Sequence, residues 1–263
     1  MSLFRVRVMR LARFAHNRLG LVEGYVLRDI TQVTERLPQH RWPFPIGDQF
    51  ITNLDAMRRA IKGASEAAAR IPVTDVKLLS PVANPPRVIA AGHPGFVLRA
   101  PTGVLGAGEG DRIILADARA AFEMSLAVVI GEKADNVSAK DALDIVAGYC
   151  IGLSFGAVEE HGFGQSPNIQ TVLGPWLVTA DEIPDPQDLR LRIAVDGHMQ
   201  HDGSTKHLAA GVMQLVAHAS RVFMLYPGEV LLSGVPQAAG VLARGATIRA
   251  TIDGIGSMDV KVR

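Results

Sequence analysis

The chain has 263 residues, 48% hydrophobic and 20% charged, with a formal net charge of +1. That balance belongs to an ordinary globular protein with a sizeable core, and it excludes the electrostatic footprint of a nucleic-acid binder. The single cysteine, Cys150, rules out an internal disulfide framework and a thiolate metal cluster, and no apolar run is long enough to span a bilayer.

The N-terminal stretch MSLFRVRVMRLARF is rich in arginine and lacks acids. Its alternation Phe4-Arg5-Val6-Arg7-Val8 has period two, which predicts a first strand in place of a targeting segment, and with it a cytoplasmic protein. LVEGYVLRDITQVT predicts a hairpin. In NLDAMRRAIKGASEAAARI, Leu54, Met57 and Ile61 recur on one face of a helix. Residues 1–75 are expected to form a small N-terminal α/β domain, and residues 76–263 a larger second domain. Pro81, Pro85 and Pro86 bracket the connector, and RVIAAG follows as a short buried strand.

Beyond it come short strands punctuated by Gly and Pro: FVLRAP, RIIL, SLAVVIG, YCIGLSF, WLVT, LRLRIAVDG, EVLLSG and TIRATIDGIGSMDVKVR. Two helices are predicted among them. SAKDALDIVAGY opens with Ser138 as an N-cap and an acidic first turn, and LAAGVMQLVAHASRVFML has apolar residues at helical spacing. The pattern predicts an α+β fold, predominantly β, with a mixed β-roll or barrel as its main unit.

FEMSLAVVIGEKADN places Glu123 and Ser125 two residues apart, on one face of a strand at the rim of a cavity. Five histidines, His93, His161, His198, His201 and His207, fall in the larger second domain. Imidazoles can ligate a transition metal or act as acid and base near neutrality, whereas the polar stretch DGHMQHDGSTKH equally suits solvated histidines.

The order of VKLLSPVANPPRVIAAG, FVLRAPTGVLGAGEGDRIIL, FEMSLAVVIGEKADNVSAKDALDIVAGYCIG, VLGPWLVTADEIPDPQDLRLRIAVDGHMQHDGST and LYPGEVLLSGVP resembles the fumarylacetoacetate hydrolase superfamily over most of the chain. The resemblance implies a small N-terminal domain, a β-roll catalytic domain and a dimer. It also implies Mg²⁺ or Mn²⁺ held by carboxylates, and 2-oxo acids of the acylpyruvate type that are hydrolysed, decarboxylated or isomerised. A hard divalent ion serves there as a Lewis acid for charge on the substrate oxygens.

Carried over position by position, the family's Glu-x-Glu falls on Glu123 and Ser125, and its third metal carboxylate on Ser154. Its downstream Arg and Gln fall on Val158 and His161, its Lys on Gln165 and its Asp on Asn168. The Thr that grips a carboxylate falls on Val235, and a Lys in an FLKP-like stretch on Arg99. Of the His–Glu pair on the lid, His93 remains, and the chain runs almost directly from it into FVLRAP. The resemblance therefore points to a divergent member with degenerate metal positions, and no cofactor is expected.

Two readings follow. In one, a small 2-oxo or enol acid is turned over without the usual metal, with His161, Gln165 and His93 as catalytic groups and Arg99, Asn168 and Val235 around the substrate. In the other, the chain is a non-catalytic scaffold or silent subunit, a homodimer or a heterodimer with an intact paralogue. Neither involves nucleic acid or membrane.

Overall fold

The computed structural model describes residues 9–92, 95–113, 119–157, 169–234 and 239–262. The first strands are β1 (Arg10–Phe14), β2 (Arg18–Glu23) and β3 (Val26–Asp29), followed by helices α1 (Gln49–Thr52) and α2 (Leu54–Ala67). Next come β4 (Arg70–Pro72), β5 (Leu78–Leu79), β6 (Val88–Gly92), β7 (Gly95–Arg99) and β8 (Val104–Gly106). Three long strands form the centre: β9 (Arg119–Ile130), β10 (Val146–Ala157) and β11 (Gln170–Thr179). After them lie β12 (Arg190–Val195), β13 (His198–Ser204), α3 (Val212–Val222), β14 (Val230–Leu232), β15 (Ala239–Ala243), β16 (Thr247–Ile252) and β17 (Gly256–Lys261).

Among the described residues, thirteen strands form one mixed sheet with the path β4-β3-β2-β1-β11-β10-β9-β14-β6-β7; β15 lies beside β9, β5 beside β1 and β8 beside β11. A second sheet has the order β13-β12-β16-β17. The fold is α+β and predominantly β, as the strand pattern predicts. Strands from the first 75 residues belong to the large sheet, because β1 pairs antiparallel with β11 through Arg10–Val178 and Leu11–Leu177.

The alternation in β9 explains why the sheet is covered on both sides. Phe122, Met124, Leu126, Val128 and Ile130 pack with Leu191, Ile193, Ile248 and Ile252 of the small sheet and with Val212, Leu215 and Val216 of α3. Ala127 and Val129, on the opposite face, pack with Cys150, Val230 and Leu232 and with Leu54, Met57 and Ile61 of α2. The helical spacing read in α2 is therefore its buried stripe, and each fully buried aliphatic contributes about 1.5–3 kcal/mol. Asp48 precedes α1 and accepts from the amides of Phe50 (2.9 Å) and Ile51 (3.1 Å), so the helical start is capped.

Two local expectations are corrected. SAKDALDIVAGY is not a helix; residues 139–145 are turns leading into β10. Ser138 donates to the Asp141 carboxylate at 2.6 Å, competing with the backbone, and the Ile145 carbonyl accepts from the Gly131 amide at 2.7 Å. That bond draws the chain into the sheet. The second predicted helix is shorter than its apolar pattern and starts only after Gly211. After the connector β7 pairs antiparallel with β6, whereas β8 runs parallel to β11. The close approach of β8 to β5 needs Gly106, since a Cβ there would lie 2.2 Å from the Leu79 carbonyl carbon.

Candidate active site

On the α2-facing side of β9 the apolar residues Val129 and Ala127 give way to Ser125 and then Glu123. The antiparallel register places Ser154 of β10 directly opposite Glu123, and Gly152 opposite Ser125. On the next strand Thr171 lies opposite Ser154. One row across three strands therefore carries Glu123, Ser154 and Thr171, with Ser125 two residues along on the same face. Ser125, Ser154 and Thr171 are 3%, 4% and 1% exposed, so this polar strip is enclosed, while Glu123 is half-buried. The Ser154 and Thr171 hydroxyl oxygens are 3.4 Å apart.

Two further segments close on the row. Gly234 has a φ of +64°, and a Cβ added to it would lie 3.8 Å from Glu123 Oε1 and 3.7 Å from the Ala91 carbonyl oxygen. The end of β6 and the chain after β14 thus meet beside the Glu123 carboxylate. Ser233 fixes this approach, accepting from the Leu126 amide at 3.1 Å and donating to its neighbour's carbonyl, Gly234, at 2.7 Å. Arg99 ends β7 and is 5% exposed. Burial lowers its guanidinium pKa from the ordinary value, and the negative charge of Glu123 acts in the opposite direction.

The residues singled out from sequence divide into three sets. Glu123, Ser125 and Ser154 converge on one face, with Arg99 coupled to it through Glu123. His93, His161, Gln165, Asn168 and Val235 lie outside the described residues. His198 and His201 lie on β13, the outer strand of the small sheet, and His207 is exposed just after it, so these three do not share the β9–β10 face. Thr171, Ser233 and Gly234 were not anticipated. Thr171 becomes visible only once the β10–β11 register is known. A separate cleft of about 830 Å³ opens near Gly131 and Ala147, at the other end of β9, where Arg58 bonds Asp55 (2.7 Å) and Asp181 (3.2 Å).

The donor chemistry of the row decides what it can hold. Among the described residues, no three His, Cys, Asp or Glu side chains gather in metal-binding geometry. Glu123 supplies one carboxylate, and the other oxygens are neutral hydroxyls beside a guanidinium. Mg²⁺ and Mn²⁺ favour anionic oxygens and shed water reluctantly. Among the described residues, this set does not fit a tightly held divalent ion.

Comparison with known proteins places the chain. The family model for the fumarylacetoacetate (FAA) hydrolase C-terminal region matches residues 70–263. The maleylpyruvate hydrolase of Aquipseudomonas alcaligenes is 38% identical over 97% of this chain and 99% of its own length. The maleylpyruvate hydrolase of Sphingobium sp. SYK-6, solved in complex with manganese(II) and pyruvate, superposes with a TM-score of 0.83 at 32% identity, covering 97% of this chain and 98% of that one. The fumarylacetoacetate hydrolase of Exiguobacterium antarcticum shares the fold, with a TM-score of 0.72 at 23% identity over 97% of this chain and 99% of that one. The chain belongs to the fumarylacetoacetate hydrolase family.

Proposed function

We propose that the protein is an enzyme acting on a small 2-oxo acid of the acylpyruvate type, by hydrolysis or enol–keto exchange, without a tightly bound divalent ion. The observation that carries this reading is the extent of the similarity: the match to a maleylpyruvate hydrolase, at 38% identity, spans nearly the whole of both chains. The enclosed row on β9–β11 supports it. In this reading Arg99 binds the substrate carboxylate, a role suited to a planar guanidinium with paired donors. Glu123 keeps that guanidinium charged in its buried setting. His161 serves as the base, with Gln165, Asn168 and Val235 beside the substrate and His93 completing the catalytic set.

Chemistry of this kind needs a positioned base and donors aimed at the oxygen that gains charge. The test is the decay of the enol absorbance band for a panel of acylpyruvates. Turnover is expected for at least one small member, with KM raised at least tenfold in Arg99→Ala and restored in part by Arg99→Lys. Absence of turnover across the panel, with and without Mn²⁺, would overturn the reading and favour the silent-subunit alternative, to which the two serines at carboxylate positions would then belong.

A further inference from the structure

Two hydroxyls on adjacent strands, both nearly enclosed, face the same side of the sheet: Ser154 on β10 and Thr171 on β11. Their oxygens are 3.4 Å apart, longer than the usual hydroxyl–hydroxyl bond. At that separation the mutual bond is weak, and each O–H is free to turn to a third oxygen. A point about 2.7 Å from both oxygens, the ordinary O–H···O distance, lies roughly 2 Å above the line joining them. An oxygen placed there accepts both donors at once.

We propose that Ser154 and Thr171 form a two-hydroxyl oxyanion hole that holds the carbonyl oxygen of the 2-oxo acid as it gains negative charge. The inference rests on the 2-oxo-acid reading and deepens it, because it says what replaces a Lewis-acid cation in a donor set that does not fit one. Strands lie about 4.8 Å apart, so the β10–β11 gap is about 7 Å from β9, and Ser154 stands between Glu123 and the bound oxygen. Glu123 in turn is coupled to Arg99. Little water reaches the pair, so each donated bond carries more weight than it would on the surface. Nothing covalent is required of either hydroxyl; each keeps its proton and only donates.

Oxalate, whose paired oxygens imitate a pyruvate enolate, is the probe, with pyruvate as the comparison. Both are titrated calorimetrically into chelator-treated wild type, Ser154→Ala, Thr171→Val and Thr171→Ser. Loss of either hydroxyl is expected to weaken oxalate about ten- to a hundredfold. Pyruvate should weaken less, and Thr171→Ser should recover most of the oxalate affinity because it returns the hydroxyl without the methyl. A purely structural role for Thr171 would lower the melting temperature without changing the oxalate-to-pyruvate ratio. Oxalate affinity in Thr171→Val within about twofold of wild type would overturn the proposal while leaving the 2-oxo-acid reading intact. Oxalate binding that requires added Mn²⁺ would overturn it too. Failure of wild type to bind either acid under any condition would remove the 2-oxo-acid reading, and this proposal with it.

Discussion

Replacing Ser154 with aspartate tests whether the site is built for one carboxylate. Residue 154 faces Glu123 directly across the antiparallel pair, and Cβ atoms in such pairs lie about 5 Å apart. Two negative charges at about that distance repel by roughly 3 kcal/mol at an effective dielectric of about 20. Ser154 is only 4% exposed, so the new carboxylate also loses hydration, while Arg99 offsets part of the repulsion. The expected loss near pH 7 is about 2–4 kcal/mol, or roughly 5–15 °C in melting temperature.

The sign of its pH dependence follows from the same argument. Burial and a like charge raise the folded-state pKa of the introduced carboxyl above its unfolded value of about 3.9. Such a group costs little below that value and progressively more as pH rises towards the folded pKa. Urea unfolding of Ser154→Asp followed by circular dichroism should therefore match wild type near pH 4 and fall furthest below it near pH 7. Added Mn²⁺ should return part of the difference by neutralising the pair. A variant as stable as wild type near pH 7 without metal would refute the reasoning, since it would mean that the two positions do not share an enclosed space.

Three other perturbations bear on the scaffold. Glu229 is 1% exposed and is gripped by Arg87 through bonds of 2.5 and 3.0 Å; Arg87→Ala leaves that buried charge without its counter-ion, held among the described residues only by the Tyr226 amide at 3.2 Å, and should cost about 3–5 kcal/mol in urea unfolding. Burial pushes the Cys150 thiol up to about 12 despite a backbone hydrogen bond involving Gly174 that acts the other way; native protein near pH 8 should leave a thiol reagent unconsumed until urea unfolds it. Gly106→Ala drives a methyl group into the Leu79 backbone and should destabilise by about 1–3 kcal/mol or more, measured the same way.

What the sequence disclosed, and what it withheld, follows from the range of the forces involved. Leu54, Met57 and Ile61 were legible because helical spacing is local, and the long apolar run after Ser125 was legible because both faces of β9 are covered. The segment 138–145 misled because a serine before acids is a genuine helix start, whereas the bond from the Gly131 amide to the Ile145 carbonyl is set by the turn that follows β9. Glu123 and Ser125 were singled out by strand spacing and Ser154 through family resemblance, and their convergence is now visible in the register. Thr171 carried no signal of its own. An isolated threonine at the start of an apolar strand acquires meaning only from its partner on β10. Arg99 lies far from Glu123 in sequence, and no local pattern announces their coupling.

The measurement that tests the central claim most directly is the turnover of a small acylpyruvate by protein dialysed against chelator, compared with the same protein given Mn²⁺. A site to which the described residues bring one carboxylate, two or three hydroxyls and a guanidinium should, on the proposed reading, work at a rate that Mn²⁺ changes by less than about threefold, on the ligand preferences of hard cations. Activity that disappears with chelator and returns in proportion to bound Mn²⁺ would contradict the account, and would place a divalent ion on Glu123 after all.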